Sequence, residues 1–98
     1  MQLEMSDGTK VTLTPEQARI LLVACDADER GRIVRLVHTT GPRPIRETTT
    51  AAALVRKGLL TIEADRIPVP TVEGLWQGDT LRILDRLGKI PARRDPWV

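Results

Sequence analysis

The sequence predicts an α+β fold in a single domain. Its length of 98 residues suits one domain. Apolar residues recur at helical spacing in three segments, and short apolar runs bounded by turn residues favour strand hairpins. Phe and Tyr are absent, so we expect a core of Leu, Ile, Val and Ala, with Trp76 as the one large candidate.

The first 13 residues predict a β-hairpin with strands near 2–5 and 10–13. Apolar and polar residues alternate in both segments, as in a strand with one covered face. Asp7 and Gly8 between them favour a tight turn. We expect this hairpin to cover one side of the core or to serve a second subunit.

The first helix is predicted to start at Thr14 and to run to about Ala27. Thr14 can cap the helix and Gln17 completes a capping box, while Pro15 suits the first helical position. Residues 20–25 are apolar all round, so we expect a central helix that is covered on most sides.

The chain between the first two helices is ambiguous. β-branched residues within 31–38 favour a strand, although the same positions also fit two helical turns. The prolines in residues 39–44 predict a loop. The acidic cluster at 26–29 lacks the alternating oxygen ligands of a calcium loop, so we interpret it as a polar, solvated turn.

A second helix is predicted over about residues 48–58. Helical spacing places three apolar residues on a core-facing stripe: Ala51, Leu54 and Val55. The opposite side then carries Thr49, Ala53, Arg56 and Lys57. Gly58 suits the left-handed residue that ends a helix. Short side chains followed by cations favour a close approach to an anionic partner, although basic residues also suit the negative end of a helix dipole.

A second hairpin and a third helix complete the domain. Strands are predicted near 59–62 and 67–69, with Pro68 and Pro70 placing the second strand at an edge. Thr71 should cap the last helix, and Gly78 with Asp79 could kink or restart it. The predicted core-facing residues of this helix are Val72, Leu75, Trp76, Ile83, Leu84 and Leu87, and its predicted outer residues are Glu73, Gln77, Arg82, Asp85 and Arg86.

Composition excludes several classes of function. The single cysteine cannot form an internal disulfide, and no apolar run is long enough to span a membrane, so we expect a cytoplasmic protein. Cys25 and the only histidine, His38, lack the neighbours of a catalytic or metal site. We therefore expect no enzyme, no metal, no cofactor and no small-molecule ligand. The net charge is only +2, but arginines concentrate in the central third, a candidate anion-facing surface.

The order of elements resembles the winged helix-turn-helix family, in particular small bacterial DNA-binding regulators of the MarR and PadR type. The run A-A-L-V-R-K-G-L-L at residues 52–60 is similar to a recognition helix that ends in a basic-Gly-Leu step. A short wing follows, and V-P-T-V-E-G-L at 69–75 is similar to the Thr-x-x-Gly start of the next helix. The resemblance implies a winged-helix domain over 14–88, with a separate hairpin at 1–13 and a tail at 89–98.

The resemblance also implies a DNA contact surface around the second helix. Four residues would face the major groove, namely Thr48, Thr49, Ala53 and Arg56. Arg46 and Lys57 would lie nearer the phosphates, together with Arg43 in the preceding loop and Arg66 in the wing. Thr and Arg side chains can read base edges, and arginines in a loop can hold the backbone of the duplex.

The sequence favours a small homodimeric transcriptional regulator, of bacterial or mobile-element origin. Its function would be sequence-specific binding of double-stranded DNA. The alternative is a winged-helix module for protein–protein interaction without DNA binding. Glu63 and Asp65 at the predicted wing tip and the near-neutral total charge favour this alternative. Binding to duplex that falls steeply with salt would favour the first hypothesis.

Overall fold

Three helices and two separate β-hairpins form the described part of the computed structural model, which comprises residues 1–32, 46–64 and 67–90. Residues 46–49 are described by their backbone alone. In chain order the elements are β1 (Gln2–Glu4), β2 (Lys10–Thr12), α1 (Pro15–Arg30), α2 (Arg46–Arg56), β3 (Leu60–Glu63), β4 (Ile67–Pro70) and α3 (Val72–Arg86). The predicted α+β class is confirmed. The strand predicted within 31–38 lies almost entirely outside the described residues.

The N-terminal hairpin forms as its alternation predicts, with antiparallel pairing of Leu3 opposite Val11. Its turn contains Gly8, whose φ of 88° is in the left-handed region that glycine adopts without strain. The side chains of Leu3 and Leu13 are buried in the main core. The hairpin therefore covers one side of the core, which is one of the two roles that the sequence suggested for it.

Helix α1 is the central element of the fold. Its predicted capping box is present, with the Gln17 amide donating to Thr14 Oγ1 at 3.2 Å and the Thr14 amide donating to Gln17 Oε1 at 3.0 Å. The helix packs against α2, α3 and β4. Its buried residues are Ala18, Ile20, Leu21, Leu22, Ala24, Cys25 and Ala27. The helix continues to Arg30, beyond the predicted end at Ala27, and stops at Gly31 in the left-handed conformation.

Strands β3 and β4 form the second hairpin, with Thr61 opposite Val69 and Ile62 opposite Pro68. Pro68 and Pro70 are both buried. Because neither proline has an N–H to donate, β4 suits the edge position that the sequence predicts. Ile90, which the sequence assigns to a tail, is buried with the core residues.

Helix α3 packs through the opposite face from the one predicted. The Thr71 cap is confirmed, since its hydroxyl accepts from the Gly74 amide at 3.0 Å. The helix is continuous across Gly78, so it does not restart there. Its buried residues are Gly74, Gln77, Gly78 and Leu81. Of the residues predicted to face the core, five are exposed: Val72, Leu75, Trp76, Ile83 and Leu87.

Close approach of backbones explains why α3 packs through its glycines. A Cβ atom on Gly74 would lie 1.9 Å from the carbonyl oxygen of Leu59, and one on Gly78 would lie 2.6 Å from Cys25 Sγ. The inner face of α3 therefore has no room for larger side chains at these two positions. Gln77 fits between them because its amide donates to Glu4 O at 2.8 Å and to Glu73 Oε2 at 3.0 Å.

Candidate nucleic-acid interface

Helix α2 has one buried and one exposed side, as predicted for a helix that approaches a partner. Ala51 and Leu54 are completely buried, and α1 and β3 pack against this helix. On the outer side Arg56 is exposed. Val55 was predicted to lie in the core, but 39% of its surface is exposed. The prediction was wrong there because Ala51 and Leu54 fill the narrow contact with α1 and β3.

The C-terminal end of α2 is held in a fixed conformation by its backbone. The Gly58 amide donates to Val55 O and the Leu59 amide donates to Leu54 O, each at 3.0 Å. These two bonds form a Schellman motif, with Gly58 at a φ of 77° and buried Leu59 packed behind the helix end. The predicted left-handed end at Gly58 is confirmed, and the backbone of the basic last turn is rigid as a result.

Thr71 ties this helix end to the start of α3. Its hydroxyl donates to the Gly58 carbonyl at 2.7 Å while it accepts from the Gly74 amide. The Thr71 amide also donates to Leu59 O at 3.1 Å. The capping residue of α3 therefore binds a carbonyl that the end of α2 leaves without an intrahelical partner.

The structure places only part of the predicted DNA-contact surface. Arg56 is exposed, while Ala53 and Lys57 are half-buried on the neighbouring turns. The backbones of Arg46, Thr48 and Thr49 lie in the first turns of α2, but their side chains are not among the described parts of the structure. Arg43 and Arg66 lie outside the described residues altogether.

Three arginines on the α1–α3 side of the molecule are paired with carboxylates. Arg19 pairs with Asp85 at 3.0 Å and Arg30 pairs with Asp26 at 3.1 Å. Arg82 pairs with Glu29 at 2.6 Å and lies 3.6 Å from Asp79. These pairs form a surface network of alternating charges, which gives that side little net attraction for an anion.

Two cations at the end of α2, like Arg86 on α3, lack the carboxylate partners that Arg19, Arg30 and Arg82 have among the described residues. Neither Arg56 nor Lys57 forms an ion pair or a side-chain hydrogen bond with any other described residue. Both stand at the end of a helix, where the backbone already favours positive charge.

The strand that follows α2 gives this surface an acidic border. Thr61, Ile62 and Glu63 of β3 are all exposed. Of the two acidic residues that the sequence places at the tip of this hairpin, Glu63 is exposed and Asp65 lies outside the described residues.

Cys25 has no feature of a reactive thiol. Burial raises the pKa of its thiol to about 12, so the group is protonated at neutral pH. The thiol donates to the Gly74 carbonyl at 3.5 Å between α1 and α3. Its role is therefore packing, as the sequence indicates.

Within the described ranges, no group of three or more His, Cys, Asp and Glu side chains is arranged to hold a metal ion. The described helices also include none with the length and apolar character needed to cross a bilayer.

We compared the chain with protein-family models, curated proteins and solved structures. No protein-family model matches this chain, and neither a curated protein nor a solved structure is similar to it.

Proposed function

We propose that this chain binds double-stranded DNA through α2, as a small transcriptional regulator whose helix enters the major groove. The observation that carries the proposal is the exposed Arg56, which has no ion-pair partner among the described residues, beside Lys57 on a helix whose other side is buried. A helix of this diameter fits the major groove, and a guanidinium there can bind guanine through two hydrogen bonds.

Rigidity of the presenting element supports the proposal. The Schellman motif at Gly58 and the Thr71 hydroxyl fix the backbone that carries both cations. Side chains on a preorganised backbone lose less conformational entropy on binding than side chains on a mobile one. The half-buried Ala52 and Ala53 also keep the middle of the helix narrow, which favours close contact with base edges.

Two arginines that occupy equivalent helix positions provide the matched test. Arg56 ends α2 and Arg30 ends α1, and both are exposed. Arg30 pairs with Asp26, whereas Arg56 has no carboxylate partner among the described residues. Duplexes selected from a random pool would be labelled and titrated with each alanine variant, and affinity would be read from fluorescence anisotropy.

We expect Arg56→Ala to weaken binding to the selected duplex by about 1–3 kcal/mol. Lys57→Ala and Arg43→Ala should weaken selected and unselected duplexes alike, and each should reduce the salt slope by about 1. Arg30→Ala should leave affinity unchanged. Equal effects of Arg30→Ala and Arg56→Ala would contradict the assignment of α2 as the contact surface.

The second candidate is a protein-interaction module that does not bind DNA. The exposed carboxylate of Glu63 next to the basic helix is the observation that favours it. Absence of measurable binding to mixed-sequence duplex at low salt would support this candidate, because unpaired cations that bind DNA do so most strongly when counterions are scarce.

A further inference from the structure

We infer that two copies of this chain associate through α3, by an antiparallel, two-fold symmetric pairing of its exposed side. We call this surface the outer α3 face, and define it as Val72, Leu75, Trp76, Ile83 and Leu87. The inference rests on α3 alone and does not depend on DNA binding. The exposed fractions are 86% for Val72, 63% for Trp76, 58% for Ile83 and 65% for Leu87.

Four of these residues form a continuous side of the helix. At about 100° per residue, Val72, Trp76, Ile83 and Leu87 fall within roughly 60° of one another around the axis. The buried residues Gly74, Gln77, Gly78 and Leu81 occupy the opposite side. The four exposed residues form an apolar stripe that no described residue covers, and Asp79 and Arg86 lie between this stripe and Leu75.

The spacing of the apolar residues is symmetric along the helix. Val72 stands as far before the Asp79–Thr80 peptide bond as Leu87 stands after it. Trp76 and Ile83 are related in the same way. An antiparallel copy centred on that bond would therefore place Val72 level with Leu87 and Trp76 level with Ile83. This self-complementarity is what an isologous dimer requires, and it selects a second copy over an unrelated partner.

The area available is adequate for a dimer of moderate affinity. The outer α3 face exposes roughly 500 Å² of mainly apolar surface per subunit, at the upper end for a single patch on a monomer. With its polar flanks it approaches the ~800 Å² per partner of a standard interface. Trp76, the largest side chain, lies near the middle of the patch, where binding energy concentrates.

Charge fits this arrangement on the flank of Leu75, while the two copies of Asp79 beside the axis would each have Arg82 3.6 Å away to offset their charge. A depression beside Val72 and Leu75 is rimmed by three carboxylates, from Asp28, Glu29 and Asp79, with one cation, Arg82. Arg86 lies on the same flank of α3 as Leu75 and Asp79. A two-fold axis perpendicular to the helices brings equal flanks together, so the partner's Arg86 would lie level with this acidic rim.

The first test measures association of the full chain without DNA. Sedimentation equilibrium over about 1–200 μM should show a monomer–dimer equilibrium. Trp76→Glu should raise the dimer dissociation constant by at least about 30-fold, since a central aromatic residue of an interface contributes that much or more. Ile62→Glu is the matched control, because Ile62 is also an exposed apolar residue but lies on β3. Circular dichroism would confirm that both variants are folded.

The second test reports the register. Asp79→Cys places a thiol beside the two-fold axis, so oxidation should link two chains through their own copies of this residue. Val72→Cys is at least as accessible but should not link to itself, because its copies would lie roughly 22 Å apart along the axis at ~1.5 Å per residue. Buried Cys25 should remain reduced in both variants.

Three results would overturn the inference. The wild-type chain could remain monomeric at about 200 μM, Trp76→Glu could dimerise as well as Ile62→Glu, or Val72→Cys could cross-link more readily than Asp79→Cys. None of these results involves DNA, so failure of the dimer and failure of the proposed function are distinguishable.

Discussion

Helices α2 and α3 both have a buried and an exposed side, but they distribute their residues in opposite ways. Helix α2 buries Leu54 and exposes Arg56, which follows the ordinary rule that apolar residues lie inside. Helix α3 buries two glycines and exposes Trp76. The difference shows that the distance to the neighbouring backbone, and not hydrophobicity alone, decides which side of a helix faces the core.

The two exposed sides are suited to different partners. The outer side of α2 carries cations without carboxylate partners among the described residues, which suits an anion. The outer α3 face carries large apolar side chains, which suit an apolar surface. Each helix thus uses one side to build the core and leaves the other side available for binding.

The strongest test of the packing of α3 is Gly74→Ala. The added methyl group would overlap the Leu59 carbonyl, and a backbone atom cannot move away as the end of a side chain can. We expect the free energy of unfolding to fall by roughly 3 kcal/mol or more. Urea denaturation would measure it, with exposed Thr80→Ala as the control that should change stability little. Unchanged stability of Gly74→Ala would show that α3 does not pack through its glycine face.

Gly78→Ala should have a smaller effect that a second substitution can relieve. Its methyl group would meet Cys25 Sγ, and removing that sulfur leaves Cys25 Cβ at 3.3 Å as the nearest atom. We expect Gly78→Ala to cost about 1–3 kcal/mol in the wild-type background and clearly less in Cys25→Ala. A double-mutant cycle from urea denaturation would give the coupling. Additive effects would mean that these two residues are not in contact.

Gly58→Ala tests the end of α2. The residue has open space around it, so the cost arises from the positive φ alone, and we expect about 1 kcal/mol. Gly58→Asn should cost less, because asparagine adopts this conformation more readily. Thermal denaturation would compare the two variants. If alanine and asparagine are equally tolerated, the left-handed end is not what holds the basic last turn.

The smallest expected effect concerns Glu73, which links α3 to the N-terminal hairpin. The Ser6 hydroxyl and the Gln77 amide donate to its carboxylate and hold its pKa below the ordinary 4.5. A lowered folded-state pKa contributes stability that is present above about pH 4.5 and is lost as pH falls through the lowered value. The stability difference between wild type and Glu73→Gln should therefore shrink in acid below pH 4.5.

Ser6→Ala is the control for this pH dependence, because it removes the donor with the largest effect on the Glu73 pKa. Denaturation profiles between pH 2.5 and 7 should show Ser6→Ala losing part of the acid-dependent stability that Glu73→Gln loses entirely, because the Ser6 backbone amide and the Gln77 side chain still donate to Glu73. A difference between wild type and Glu73→Gln that stays constant over this range would contradict the lowered pKa.

Local signals in the sequence were sufficient to predict most of the elements. Capping residues such as Thr14 and Thr71 and the left-handed Gly58 each determine structure within a few residues, so they can be recognised without the fold. The burial of Ala51 and Leu54 was also predicted correctly, because α2 follows the usual helical period.

The orientation of α3 could not be predicted in this way. Helical periodicity gives most weight to large apolar residues and treats glycine as a weak point in a helix, so Trp76 was assigned to the core and Gly78 to a kink or restart. The close approach of Leu59 O and Cys25 Sγ is a tertiary feature with no local signal. Two glycines spaced by four residues on one helix face are the pattern that could have indicated it.

The most direct test of the account is an NMR titration of the labelled protein with duplex DNA. We predict that amide shifts concentrate at residues 50–58 of α2 and at Thr61 on β3, while the outer α3 face and the paired arginines of α1 remain unchanged. Shifts confined to α3, or no shifts at low salt, would contradict the assignment of α2 as the surface that binds DNA.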